Sequence, residues 1–387
     1  MISRKKVLIS GAGVAGIVCA VLLDKEKYDV EIIERSETFR NIGFSLTVWK
    51  SGFSQLRSLF ESYGEKLINK TDYLALEKFI LFGGPRLNTL KELNIAGYAW
   101  DFNRNGLMQR LEHLLSKALP SENIIFSRWI HALNFKDNAA GTTEVVFNNN
   151  QTKQYDIIIL AEGINSTSRK IVFPEKTILP LRRILTYAWF NEQTMLENAE
   201  ALFFTSGYVG VVHPNFNQSL LGFYSSTPAA ENAHAEFLNT IVHTIKQKSG
   251  QNTSLDFVTS KSFALKKIHL PQYYYKNVVI IGDSAHGHPP TIGFGTTLAI
   301  EDAVLVCKIA NELEPENFKS HVVTALAKFS AKRVPRVRDV YRFQNLIEYF
   351  ISNNPLAITI LSLLVRLTGI GHISRKIKNL ASYDINS

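Results

Sequence analysis

The sequence predicts an α/β fold, and three observations predict it. A strand, a glycine-rich turn and a helix open the chain. A second strand running through a glycine loop into a helix lies near its far end. Long stretches between them alternate apolar with polar residues, as antiparallel strands do. The 387 residues suit two domains and a short third element. With 45% hydrophobic and 20% charged residues spread along its length, the chain can bury a sizeable core and is not disordered.

The first unit is Val7-Leu8-Ile9-Ser10, then Gly11-Ala12-Gly13-Val14-Ala15-Gly16, then an apolar helical pattern from Ile17 to Leu23. A second strand, Val30 to Ile33, ends at Glu34-Arg35, about twenty residues beyond the glycines, the spacing of a Rossmann-type dinucleotide site. Gly11 permits the tight turn, Gly13 lets backbone approach a pyrophosphate, and Gly16 allows the helix to pack on the strand. The helix N-terminus turns unpaired N–H groups toward the phosphates. Glu34 suits ribose hydroxyls and repels a 2′-phosphate, which disfavours NADP here and leaves FAD and NAD open.

Near the far end, the apolar strand Asn277 to Ile281 leads through Gly282-Asp283 into Ser284-Ala285-His286-Gly287-His288-Pro289-Pro290-Thr291-Ile292-Gly293-Phe294-Gly295, with a helix expected from about Thr296. Apolar residues Leu298, Ala299, Ala303, Val306 and Ile309 mark its packed side, leaving Glu301, Asp302 and Lys308 for other faces. A strand-end acid, a proline-stiffened loop and two glycines suit backbone lying against the second part of a long ligand.

These segments resemble the class A flavoprotein monooxygenases, the para-hydroxybenzoate hydroxylase-like family. Gly282-Asp283 through Asp302-Ala303 resembles its late Gly-Asp motif, in which the Asp holds the ribityl chain of FAD. Arg104-x-x-Leu107-x-x-x-Leu111 resembles its internal arginine motif, and Leu160 to Arg169 its middle Asp-Gly motif, with Glu162 where Asp is usual. Ile42 to Val48, Asn103 to Leu107 and Gly295-Thr296-Thr297 are similar to the tetracycline-inactivating branch, the tetracycline destructases. The resemblance implies FAD held by Gly11, Gly13, Ala15, Gly16, Glu34, Arg35, Arg104, Asp283, Pro290, Gly293, Gly295, Thr296 and Thr297. It further implies NAD(P)H as a transient co-substrate, O2 as oxidant, and a small-molecule substrate between the antiparallel sheet and the flavin, with tetracyclines expected. Pro290, Thr291 and Gly293, together with the strand residues His213 and Tyr224, are the candidate substrate contacts. No side chain is required as a nucleophile, because the flavin carries the chemistry. A phenol or polyketide hydroxylase is the alternative within the fold; a flavin-binding redox sensor without oxygenase turnover is the alternative outside enzymes.

Residues 1–75, 98–175 and 270–345 are expected to form a discontinuous FAD-binding domain. Residues 76–97 and 176–269 are expected to form the substrate-binding antiparallel sheet, and 346–387 a C-terminal helical segment, which the resemblance places beside the substrate entrance. The net charge of +9 comes without any run of five or six basic residues, so a solvated lysine-rich surface is expected rather than nucleic-acid binding. Two cysteines, Cys19 and Cys307, each inside an apolar helical pattern, build neither a disulfide framework nor a cysteine zinc site. His286 and His288 lack a third ligand nearby, and no metal is expected. Glycines interrupt the apolar stretch after Arg4-Lys5-Lys6, so no export signal is read and a cytoplasmic monomer is expected. The apolar block Pro355 to Val365 is too short to span a bilayer and is expected to pack as a helix, without stable membrane insertion.

Overall fold

In the computed structural model, Val7, Leu8 and Ile9 are fully buried on a strand paired in parallel on both sides, inside a sheet whose one antiparallel pairing is at its edge. Such strands read as unbroken apolar runs because both of their faces are covered. The structure describes residues 3–39, 45–83, 88–135, 141–190, 198–205, 208–214, 219–225, 240–241, 243, 257–351 and 371–385. The apolar block Pro355 to Val365 and residues 42–44 of the branch-specific segment lie outside them.

In chain order the elements are β1 (Lys5–Ser10), α1 (Val14–Leu22), β2 (Tyr28–Ile33), β3 (Ser45–Trp49), α2 (Lys50–Ser62), β4 (Tyr73–Gly83), β5 (Asn88–Asn103) and α3 (Arg104–Ala118). Next come β6 (Ile124–Ile125), β7 (Ile130–Asn134), β8 (Thr143–Phe147), β9 (Thr152–Tyr155), β10 (Ile157–Leu160) and α4 (Ser168–Val172). The antiparallel stretch supplies β11 (Leu179–Phe190), β12 (Ala199–Thr205), β13 (Tyr208–Pro214), β14 (Ser219–Ser225) and β15 (Phe257–Lys267). The chain then forms β16 (Tyr274–Tyr275), β17 (Val278–Ile280), α5 (Asp283–His286), α6 (Gly295–Asn311), α7 (Phe318–Ile351) and α8 (Gly371–Ala381).

The first sheet has the order β16-β17-β10-β1-β2-β6, with Ile9 of β1 level with Ile32 on one side and Ile159 on the other. Helix α1, apolar along its whole length, lies between this sheet and α6, where the Cys307 thiol donates to the Cys19 carbonyl at 3.6 Å. Both cysteines are free and buried.

The second sheet has the order β15-β11-β14-β13-β12-β4-β5-β3. Its reach differs from the domain boundaries expected from the sequence. Ser45–Trp49 pairs antiparallel with β5, and β5 extends to Asn103, so segments expected in the glycine-rich half belong to this sheet. A third small sheet, β7-β8-β9, fills part of the 98–175 stretch. Its middle strand buries alternate residues, Thr143, Val145 and Phe147, the period of a half-buried strand. Among the described residues no helix is long and apolar enough to cross a membrane.

Candidate active site

The turn after β1 is held by Glu34, whose carboxylate accepts from the Ala12 N–H at 3.0 Å and from the Ser36 N–H at 2.9 Å. The Gly11 N–H donates to the Ile33 carbonyl at 2.8 Å. A Cβ at Gly16 would sit 1.9 Å from the Gly11 carbonyl oxygen, so only glycine lets α1 start this close to the strand. At Gly13, by contrast, a Cβ would meet nothing within 4 Å. That space lies at the N-terminus of α1, which has no side-chain cap and no acidic residue in its first turn. Unpaired N–H groups facing an open space are the arrangement that binds a pyrophosphate.

The middle motif is wired to this turn. Glu162 accepts from the hydroxyls of Ser10 (2.6 Å), Ser168 (2.6 Å) and Ser166 (2.7 Å). Fully buried Arg169 donates to the carbonyls of Ile164 and Ser284, both at 2.9 Å, tying the middle motif to the loop that carries Asp283.

The expectation that Glu301 and Asp302 serve other faces of α6 is corrected by the structure, which buries both completely. Asp302 accepts from the Gly282 N–H at 2.8 Å, contacts His286 Nε2 at 2.6 Å and accepts from Arg333 Nε at 2.6 Å. Glu301 accepts from Arg333, from both Nε and Nη2 of Arg336, and from the Ser51 hydroxyl at 2.6 Å. Burial alone would raise both carboxyls, but the charges of the two arginines on Glu301, and of His286 and Arg333 on Asp302, hold them below the usual carboxylate range. Asp302 thereby fixes the turn at Gly282 and sets Asp283 at the start of α5. Arg336 also donates to the Leu380 carbonyl at 2.8 Å, which anchors α8 to the same cluster.

A cavity of 510 Å³ runs from the glycine turn to the second sheet. Gly13, Ala15, Arg104 and Asp283 line it, as do Pro290, Thr291, Gly293, Gly295 and Thr296 from the proline loop. His213 lines it from β13. Gly293 has φ +65°, and a Cβ there would press on Thr47 at 2.9 Å, so the loop reaches the sheet only as glycine. The Thr291 hydroxyl donates to Glu348 at 2.9 Å, and Gln344 bridges Glu348 and the Pro289 carbonyl, clamping the loop to α7.

Four expected residues, Thr297, Arg35, Gly11 and Gly16, do not line the cavity. Thr297 is fully buried outside the cavity lining, and its hydroxyl accepts from the Trp49 N–H at 2.8 Å, so its side chain is engaged in packing α6 against β3. Arg35 is exposed beside Glu34. Gly11 and Gly16 shape the turn from behind. Tyr224 is level with Leu185 and Val209 in the second sheet.

Sequence reasoning singled out His213 but missed the carboxylates grouped with it on the sheet side. His213 Nδ1 lies 2.7 Å from Glu200 Oε1, which also accepts from the Thr47 hydroxyl at 2.9 Å, and buried Asp101 accepts from the Ser45 hydroxyl. These residues come from four strands, so no spacing in the chain announces them. The remaining walls are apolar, with Leu81, Leu185 and Leu202 from the sheet, Phe343 and Ile347 from α7, and Ile373 and Ile377 from α8.

The comparisons agree with this geometry. A family model described as "FAD binding domain" matches residues 4–344. The chain is 24% identical to an FAD-dependent urate hydroxylase of Mycolicibacterium vanbaalenii, over 87% of this chain and 86% of the relative. Its fold is similar to that of Klebsiella pneumoniae HpxO complexed with FAD and uric acid, with TM-score 0.79, 16% identity and coverage of 98% and 97%. It is also similar to the tetracycline destructase Tet(51), with TM-score 0.66, 18% identity and 98% of each chain covered. Open space at the N-terminus of α1, the fixed Gly282-Asp283 turn and the continuous cavity fit a long dinucleotide. The chain therefore belongs to the FAD binding domain family, as a para-hydroxybenzoate hydroxylase-like class A flavin monooxygenase whose cofactor is FAD.

Proposed function

We propose that this FAD-dependent monooxygenase uses NAD(P)H and O2 to oxygenate an electron-rich ring compound held between the Gly293 loop and the second sheet, with tetracyclines as the first substrates to test. The observation that carries this reading is the single cavity joining the glycine turn to the sheet, because it allows a cofactor ring and a second ring compound to meet. When bound, FAD supplies the redox chemistry, accepting hydride from the nicotinamide and activating oxygen. The protein's part is placement. The α1 N-terminus and Glu34 would hold the adenosine pyrophosphate end, and Asp283 and Arg104 the part nearer the cavity. The leucine and isoleucine walls exclude water from the reacting centre. The first glycine unit has no second copy among the described strands and helices, which supports a nicotinamide that visits rather than resides.

The test is NADH and NADPH oxidation with oxygen uptake by the FAD-loaded protein, with and without tetracycline or uric acid, while product is followed by mass spectrometry. Uptake that depends on a ring compound, with gain of one oxygen atom in the product, is the expected result. Loss of tetracycline with that uptake would establish the antibiotic substrate; a response only to uric acid would replace it with a small heteroaromatic. A flavin that is reduced and reoxidised at the same rate with every compound would favour the redox-sensor alternative.

A further inference from the structure

The positive charge of this chain is not spread evenly. Residues 318–387 hold eleven Lys and Arg against three Asp and Glu, a net +8, which leaves +1 for the 317 residues before them. Arg333 and Arg336 are buried against Glu301 and Asp302, but Lys319, Lys328, Arg338, Arg342, Arg375 and Lys376 are exposed on α7 and α8. We propose that this basic face of the two C-terminal helices docks the protein on an anionic lipid surface. Such docking is independent of the oxygenase chemistry.

On α7, Arg338, Arg342 and Leu346 follow one another at i+4 steps on the solvent side, and Leu346 is 52% exposed. Helix α8 is two-faced. His372, Arg375, Lys376 and Asn379 are exposed, whereas Ile377 and Leu380 are buried, and Ile373 and Ile377 line the cavity. Asp339 is the one exposed acid on these two helices, and it pairs with Arg342 at 3.6 Å. Lys328, Arg338, Arg375 and Lys376 have no ion pair among the described residues. The sequence between the two helices, residues 352–370, carries a single charge, Arg366, and includes the uncharged block Pro355 to Val365.

Charge alone would suit any polyanion. A basic stripe that also exposes a leucine, bordering an apolar stretch of sequence, suits a bilayer, whose headgroups take the cations and whose acyl boundary takes the apolar side chains. The phosphates of a nucleic acid offer the leucine nothing. Each Lys or Arg at an anionic surface strengthens binding by about five-fold, so four unpaired cations give a reversible attachment. Because the buried side of α8 lines the cavity, docking sets the cavity one helix diameter, about 10–12 Å, from the headgroups.

The test is co-sedimentation of the FAD-loaded full chain with vesicles of phosphatidylcholine alone and of equal parts phosphatidylcholine and phosphatidylglycerol. Binding to the anionic vesicles should be at least about ten-fold tighter and should weaken between about 0.05 M and about 0.5 M salt. Arg375→Glu combined with Lys376→Glu, and Arg338→Glu on its own, should each weaken it at least about ten-fold, while bound flavin and thermal unfolding keep their parental values. Leu346→Ser should weaken the binding that survives high salt by about three-fold, because apolar contact carries more of it there. Duplex DNA serves as the competing polyanion. Equal binding to the two kinds of vesicle, no vesicle binding, or anionic binding unchanged in both charge variants would each overturn the proposal. So would high-salt binding unchanged in Leu346→Ser, or tighter binding to DNA than to the anionic vesicles at the same salt, since the face would then read charge alone. If a charge-reversed variant loses its flavin, the comparison of vesicles and DNA with the parent protein still decides.

Discussion

Two glycines three residues apart make opposite demands, and replacing each with alanine separates cofactor binding from folding. At Gly13 the backbone is extended, with φ −83° and ψ −175°, a conformation alanine adopts, and the new methyl meets no protein atom within 4 Å. Gly13→Ala should therefore leave the apoprotein as stable as the parent or about 0.4–1 kcal/mol more stable, since the unfolded chain loses freedom. The methyl instead enters the space at the α1 N-terminus proposed for the pyrophosphate, so FAD affinity should fall at least about ten-fold, about 1.4 kcal/mol. At Gly16 the methyl would lie 1.9 Å from the Gly11 carbonyl oxygen, and backbone must retreat by roughly 1 Å to accept it. Gly16→Ala should lose about 1–3 kcal/mol of stability, and the displaced turn should weaken FAD as well. Thermal unfolding of the apoproteins and titration with FAD, followed by flavin fluorescence, measure both quantities. Parental FAD affinity in Gly13→Ala would refute the placement of the phosphates, and a parental Tm in Gly16→Ala would refute the contact.

Arg333→Met should cost about 3–5 kcal/mol by leaving Glu301 and Asp302 buried beside one fewer cation, measurable by urea unfolding, whereas Lys308→Met on the exposed side of α6 should change little. Because Glu301 and Asp302 are held below their ordinary values, their contribution is complete above the unfolded pKa of about 4; it should drain away as the pH falls through the lower folded values, and acid unfolding of Arg333→Met should show a smaller pH dependence in that window. Thr297→Val should leave FAD affinity unchanged while losing about 1 kcal/mol of stability with the hydrogen bond to the Trp49 N–H; weakened FAD binding at parental stability would return Thr297 to the cofactor site. Glu34→Gln should weaken FAD about ten-fold and loosen the turn that Glu34 holds through the Ala12 and Ser36 amides, and unaltered binding would remove its proposed ribose contact.

The parts legible in the sequence are those whose physics is local. The glycine turn, the strand before it and the acid about twenty residues on are set by backbone sterics and by an apolar run within one βαβ unit, and the structure has all three in place. Glu301 and Asp302 show where local pattern fails. The helical pattern only sets them off the apolar side, because the arginines that make their burial tolerable stand on the next helix, α7. His213 was singled out as a strand residue, but its grouping with Asp101 and Glu200 was illegible for the same reason in sheet form, since strand register, not spacing, brings the three together. The resemblance implied that Thr297 joins Gly295 and Thr296 in holding the cofactor, but one residue along a helix turns a side chain by about 100°. That rotation carries its hydroxyl to Trp49 instead.

Strand order also governs when the glycine-rich half can form during synthesis. β1 emerges first and soon has β2 beside it, but its other neighbour, β10, begins at residue 157, and β17, which flanks β10, follows only at residue 278. Between them the ribosome must deliver β11 to β15, at about 5–20 residues per second. For those seconds the open edge of β10 is an unpaired, wholly apolar strand, the kind of surface that invites aggregation. Low temperature or chaperone supply during expression should therefore raise the yield of soluble protein more than added FAD does, because the cofactor's site is not complete until the late strands arrive.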